Sequence, residues 1–69
     1  MAMDIVAQRL QFEDVVLIDL PGQGEVEARV ARPAERTDTS VRVTLRVDGG
    51  EEFVKEWGLG ETVTVVRGP

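Results

Sequence analysis

Apolar and polar residues alternate along most of this chain with a period of two, the pattern of β-strands that bury one face. The clearest example is Val41–Val47, where valines and a leucine alternate with arginines and a threonine. The next residues, Asp48–Gly50, have the composition of a hairpin turn, and Glu51–Trp57 then carries two of the chain's three aromatic residues. The sequence therefore predicts a β-hairpin over residues 41–57.

The register of this hairpin decides what its aromatic residues do, because a shift of one residue turns a strand over. A three-residue loop pairs Leu45 with Phe53 and places both Phe53 and Trp57 on the apolar face. A two-residue loop places the same two aromatics on the face of Arg42 and Arg46 instead. The first register predicts a packed core. The second predicts a binding face, where aromatic rings and guanidinium groups stack on nucleic-acid bases or bind a peptide.

We favour the three-residue loop, with the aromatics and Leu45 inward and with the arginines and Val54 outward. A chain of 69 residues buries only about 60% of its unfolded surface, and without the two rings its core would rest on valines, a few leucines and Phe12. Disulfides and zinc sites are excluded as supports, since the chain has neither cysteine nor histidine. Good packing or oligomerisation therefore has to stabilise the fold.

Three more alternating segments are predicted to be strands. They lie at Val15–Leu20, Glu25–Arg32 and Glu61–Arg67, and glycine-containing turns precede the last two. Val15–Leu20 is apolar on both faces, so we expect the N-terminal segment or a second subunit to cover its second face. Residues 4–12 fit either a strand or a helix, and we favour a strand, or an extended arm that ends in one turn. The polar connection over residues 32–40 is predicted to be a mobile, solvated loop.

These segments define the fold class as all-β. The length leaves room for one small β-barrel domain, residues 1–69. We predict a small five-stranded antiparallel barrel, in which an SH3-like arrangement is preferred and an OB-like arrangement is the alternative. Closure into a barrel also removes the exposed edges that an open sheet would have.

The residue inventory argues against catalysis. With no histidine, cysteine or tyrosine, the chain lacks the common general bases and nucleophiles that act near neutral pH. The neighbouring carboxylates are interpreted as solvated faces, and the glycine turns lack the lysine and the following helix of a phosphate loop. Lys55 lies between Glu52 and Glu56, where we expect a surface ion pair. We therefore predict a protein that is not an enzyme and that holds no cofactor or metal.

Charge and targeting signals narrow the function further. The net charge of −5 counts against nucleic-acid binding, which depends on neutralising phosphates. No apolar run is long enough to span a bilayer, and the N-terminus does not have the pattern of a signal peptide, so we expect a cytoplasmic protein without a membrane role. Seven arginines against one lysine suggest a GC-rich, bacterial genome.

The resulting functional prediction is a non-enzymatic interaction module that binds a protein partner or forms a homo-oligomer. The alternative is single-stranded nucleic-acid binding through an arginine and aromatic face of the sheet. The candidate binding residues are Arg42, Arg46, Phe53 and Trp57.

Overall fold

The computed structural model describes residues 2–69, and strands make up most of it. The strands are β1 (Met3–Val6), β2 (Val15–Leu20), β3 (Gly24–Val30), β4 (Glu35–Arg36), β5 (Ser40–Val47), β6 (Glu52–Gly58) and β7 (Thr62–Arg67). The helical content of these residues is one 3₁₀ turn at Ala7–Arg9, between β1 and β2. The prediction of an all-β fold is confirmed.

All the strands join one antiparallel sheet in the order β1-β7-β2-β3-β5-β4, and β6 pairs with the other edge of β5. The sheet curls into a half-barrel. The sheet holds seven strands across residues 2–69, whereas the sequence predicted a five-stranded barrel. The two additional strands are β1 and β4. Strand β4 lies in the connection predicted to be a solvated loop, and Glu35 there pairs with Arg42 of β5.

The hairpin of β5 and β6 has the register that we favoured. Leu45 pairs with Phe53, and Val41 pairs with Trp57, so both aromatic rings share the face of the buried valines. The backbone N–H of Gly50 donates to the carbonyl oxygen of Val47 over 2.8 Å and closes the turn. Gly49 has a φ of 75° at the third position of this turn, a conformation that favours glycine.

The core lies on the concave face of the sheet and is mainly aliphatic. Its buried members are Ala7, Leu10, Val16, Ile18, Ala28, Val30, Val41, Val43, Leu45 and Val63. Phe53 and Trp57 are half-buried and pack against this cluster. Phe12, which we counted among the core residues, is instead 50% exposed because it lies in the turn before β2.

The N-terminal segment is a strand followed by one turn, as we favoured. Its residues Ala7 and Leu10 pack on the concave side of the sheet. The N-terminal segment thus covers β2 on its concave side and not on its convex side. Val15 on that side is only 3% exposed and lies among charged side chains of neighbouring strands, whose aliphatic stems cover apolar surface.

The helical content of the fold was compared with the length that a membrane-spanning helix needs. Within residues 2–69, no helix has the length and apolar character needed to cross a bilayer.

Candidate functional site

The structure separates the four candidate binding residues into two pairs on opposite faces of the sheet. Phe53 and Trp57 lie on the concave face, half-buried against the core. Arg42 and Arg46 lie on the convex face and are exposed. The four side chains therefore do not form a single surface on which a nucleic-acid base could meet arginine and an aromatic ring together.

The two convex arginines are engaged with carboxylates of β6. Arg46 Nη2 lies 2.9 Å from Glu52 Oε2, and Arg42 Nε lies 3.5 Å from Glu56 Oε2. The hydrogen bond from Arg46 lowers the pKa of the Glu52 carboxyl, and the nearby charge of Arg32 lowers it as well. These pairs neutralise part of the positive charge that the nucleic-acid alternative would need.

Glu56 is held by a hydroxyl as well as by an arginine. Ser40 Oγ donates to Glu56 Oε2 over 2.6 Å, and this hydrogen bond is the largest cause of the lowered pKa of Glu56. The charge of Arg42 acts in the same direction. The convex face of β5 and β6 thus carries two cross-strand ion pairs, one on each side of the Thr44–Val54 pair, and they favour the observed register.

Strand β6 is one free edge of the curled sheet, and charged side chains lie along it. Lys55 points to the concave side between the two aromatic residues, with its Nζ 5.9 Å from the centre of the Trp57 ring. The ion pair that we expected between Lys55 and a neighbouring glutamate is not formed, because Glu52 and Glu56 point to the opposite face. At the end of the strand, the Gly58 N–H donates to the carboxylate of Glu61. Inward charges of this kind discourage pairing with another strand.

Strand β1 is the other free edge, and its concave side is apolar. Met3 pairs with Val65 and is 63% exposed, while Ile5 pairs with the buried Val63. These side chains line a cleft of about 260 Å³ together with residues of β7 and of the turn before β2. The charged side chains that also line this cleft come from residues outside β1, namely Arg9, Asp14 and Arg67.

Backbone groups at the free edge of β1 are open to a further strand. The Ala7 N–H donates to the Glu61 carbonyl oxygen over 2.8 Å, which makes this pair a hydrogen-bonded one. Because alternate residues of an antiparallel strand direct their backbone groups to opposite sides, Asp4 and Val6 direct theirs away from β7. The Asp4 side chain is occupied on the convex face, where Thr64 Oγ1 donates to it over 2.7 Å.

Three arginines that we did not single out as a group meet on the convex face. Across the sheet, Arg67 pairs with Val15, Val15 pairs with Arg29, and Arg29 pairs with Arg46. We call these four residues the arginine row. They belong to β7, β2, β3 and β5, and because directly paired residues share a face, their side chains stand side by side.

The arginine row forms the floor and walls of a cleft in the convex face, with a volume of about 350 Å³. Glu27 and Asp48 complete its lining. Arg67 Nη2 lies 3.1 Å from Glu27 Oε1, whereas Arg29 makes no ion pair among the described residues. Within residues 2–69, the only side-chain hydrogen bond of Arg29 goes to the carbonyl oxygen of Glu13, over 3.4 Å.

Phe12 stands next to the arginine row on a well-anchored turn. It shares a cleft of about 170 Å³ with Arg29 and Arg46. Buried Asp14 accepts the Gln11 N–H on its Oδ2 over 2.9 Å and so closes the turn that carries the ring. An exposed aromatic side chain thus shares a cleft with two arginines, the combination that a two-residue loop would have produced in the 41–57 hairpin.

Alternation would place Arg67 on the face of Val63 and Val65, but the register between β7 and β2 shifts at Val15/Val16 and sets Arg67 opposite Val15. Alternation correctly predicts that Arg29 and Arg46 face outward. It does not predict the row, because the row depends on the register between strands that are distant in sequence. The available signal was Phe12, a large apolar residue between polar neighbours.

Residues 2–69 contain no group of three or more carboxylates placed to hold a metal ion.

Fold and surface together define a small all-β half-barrel with two free strand edges and a charged convex face. Comparison with known proteins gives no match to this chain among protein-family models, curated proteins or solved structures.

Proposed function

We propose that this protein is a non-enzymatic interaction module of the SH3-like small-barrel type, which binds a second copy of itself or a protein partner through the free edge of β1. The observation that carries the proposal is the combination of open backbone groups and apolar side chains at that edge. Added strands gain affinity from main-chain hydrogen bonds and specificity from pockets for alternate side chains, and β1 offers both.

Strand order supports the SH3-like arrangement over the OB-like one. The five longer strands follow one another as a meander, β2-β3-β5-β6, and the last of them, β7, returns to pair with the first. An OB-fold is a Greek-key barrel, in which the chain leaves such a meander. Strand β1 then extends the sheet beyond β7 and supplies the edge that we propose for binding.

The edge of β1 suits binding better than the edge of β6. An incoming strand at β6 would approach Lys55 on the concave side and the carboxylates of Glu52 and Glu56 on the convex side. At β1 the strand itself contributes only Met3 and Ile5 to the concave side, and the charged groups of the cleft, Arg9 and Arg67 among them, come from outside the strand. The exposed fraction of Met3 would fall if a second strand covered it, and burial of such side chains stabilises association.

A second copy is the occupant that we propose first. Two β1 strands running antiparallel around a two-fold axis would present the same surface to each other, which is the commonest symmetry of soluble dimers. Such a dimer would also add apolar burial to a domain that is small for a single core.

A proline at Val6 tests the proposal, because it removes the outward N–H at the free edge of β1. Val6 has a φ of −69°, which a proline ring adopts without strain, and its N–H is not the one that pairs with β7. We expect sedimentation velocity at micromolar concentration to show wild-type dimers and Val6→Pro monomers. The matched control is Val54→Pro, which removes an outward N–H from the edge of β6 and should leave the dimer intact.

Two results would contradict the proposal. A wild-type chain that stays monomeric at high micromolar concentration would exclude self-association. Dimers that survive Val6→Pro but dissociate in Val54→Pro would place the interface at β6. Circular dichroism of each variant shows whether the sheet is retained.

A further inference from the structure

The arginine row places like charges next to each other and leaves Arg29 without a carboxylate partner among the described residues of the free protein. Arg29 and Arg46 are directly opposite each other on neighbouring strands, and like charges in that position destabilise a sheet. Glu52, which pairs with Arg46, lies on β6, on the far side of Arg46 from Arg29. Glu27 lies on β3 two residues before Arg29, but its carboxylate pairs with Arg67. The central guanidinium therefore faces the cleft with no carboxylate of its own.

The charge balance of the cleft indicates which anion would fit. Three arginines and two acids line it, and Arg46 and Arg67 are already paired with Glu52 and Glu27. Arg29 is the one arginine of the row that makes no ion pair among the described residues, so the row has one guanidinium left to pair. A single carboxylate matches that balance, whereas a dianionic phosphate or a nucleic-acid strand would bring excess negative charge close to Glu27 and Asp48. The short-range geometry is also suitable, because guanidinium groups bind carboxylates through paired hydrogen bonds.

Phe12 adds an apolar contact at one end of the row. Its ring is half exposed and shares a cleft with Arg29 and Arg46, so a ligand on the arginines lies within reach of the ring. The hydrogen bonds of Asp14 hold the turn in place, which lowers the entropic cost of binding there. Aromatic residues and arginines are the side chains that dominate the binding energy of protein interfaces.

We propose that the arginine row binds a side-chain carboxylate of a partner protein segment, with an apolar residue of that segment packed against Phe12. The surface is separate from the edge of β1, and the proposal goes beyond self-association through that edge. Adjacent strands are about 4.8 Å apart, so the row from Arg67 to Arg46 spans about 14 Å, the reach of a few extended residues. The occupant is thus a short acidic and apolar segment.

NMR titration of the full chain labelled with ¹⁵N tests this proposal. The probe is a terminally blocked peptide of alternating glutamate and leucine, and the control peptide has glutamine in place of glutamate. We expect the first peptide to shift the signals of Val15, Arg29, Arg46 and the Phe12 turn, and we expect the control peptide to leave them unchanged. Added salt should weaken the effect, because it screens the carboxylate from the arginines.

Two arginine variants separate the site from general charge effects. Arg29→Gln should weaken peptide binding about tenfold, the size expected for losing one charge-assisted hydrogen-bonded contact. Arg36→Gln makes the same charge change on an exposed arginine of β4 outside the row and should bind like the wild type. Without peptide, Arg29→Gln should melt at the same or a higher temperature, since it removes the repulsion from Arg46.

Several outcomes would overturn the proposal. Equal loss of binding in both arginine variants, or equal shifts from both peptides, would remove the role of the row. Tighter binding of a single-stranded oligothymidylate to the same residues would assign the row to nucleic acid. Signals that move with protein concentration alone would assign it to a second copy of the chain.

Discussion

At the scale of single residues, the convex face of the sheet shows how neighbours change the properties of a side chain. Alternation predicted that Arg42 and Arg46 point outward, and they do. Their partners on β6 are glutamates, so the arginines are held in ion pairs. Each pair is exposed to solvent, where an ion pair contributes little and salt screens it.

The lowered pKa of Glu52 predicts a specific dependence of stability on pH. A carboxyl whose pKa is lower in the folded state than its ordinary value of 4.5 stabilises the fold fully above that value. The contribution is lost as the pH falls below 4.5 and through the folded-state pKa. Glu52→Gln should therefore show a shallower loss of melting temperature than the wild type between pH 4.5 and more acidic conditions, at low salt.

Glu51→Gln is the matched control for this measurement. Glu51 is the exposed neighbour of Glu52 and makes no ion pair within residues 2–69. Its variant should follow the wild-type curve. A Glu52→Gln curve that runs parallel to the wild type through the acidic range would show that the Arg46 contact does not favour the folded state.

At the scale of elements, the hairpin of β5 and β6 depends on the backbone conformation of its turn. The three-residue loop places Phe53 and Trp57 inward, and this register requires a positive φ at Gly49. The amount of space does not limit this position, because no atom lies within 4 Å of where a Cβ would stand. The conformation alone therefore decides which residues are tolerated.

Gly49→Ala should consequently destabilise the protein by about 1–2 kcal/mol, the cost of a left-handed conformation for a residue with a side chain. Denaturant unfolding followed by circular dichroism measures the difference. Gly68→Ala is the control, because Gly68 is also open to solvent but has no positive φ. Equal unfolding midpoints for the two variants would show that the turn shifts to another conformation at no cost.

At the scale of the whole molecule, a thin aliphatic core supports a sheet that is only half closed. Leu45 is fully buried near its centre, whereas Phe12 lies outside it on the convex side. The two residues are similar in hydrophobicity but differ in position. Their different burial predicts different consequences for stability and for binding.

Leu45→Ala should cost about 2–5 kcal/mol, the range measured for deleting a buried leucine side chain. A domain of this size has roughly 3–5 kcal/mol of stability, so the variant should be largely unfolded at room temperature. Phe12→Ala should change the free energy of unfolding by about 0.5 kcal/mol or less, as surface substitutions do. Circular dichroism and Trp57 fluorescence report both effects.

The comparison fails if the two variants have the same stability. A stable Leu45→Ala chain would mean that the core is supported from outside, for example by a second copy. A strongly destabilised Phe12→Ala chain would mean that the ring belongs to the core and is not available to a ligand.

The sequence by itself determined the five longer strands and the faces of most of their side chains, because alternation and turn chemistry act over a few residues. The register of the 41–57 hairpin could also be predicted from the sequence, because a short chain needs Phe53 and Trp57 in its core to bury enough apolar surface. Strand β4 was not predicted, because two residues are too few to form a recognisable pattern.

Only the tertiary structure decided which outward residues meet. Arg67, Val15, Arg29 and Arg46 are far apart in sequence and become neighbours through the pairing of four strands. The position of Phe12 beside them and the free edge of β1 depend on the same long-range registers. A period-two pattern specifies a side of the sheet but not an order of strands, so the arginine row and the open edge arise from the fold as a whole.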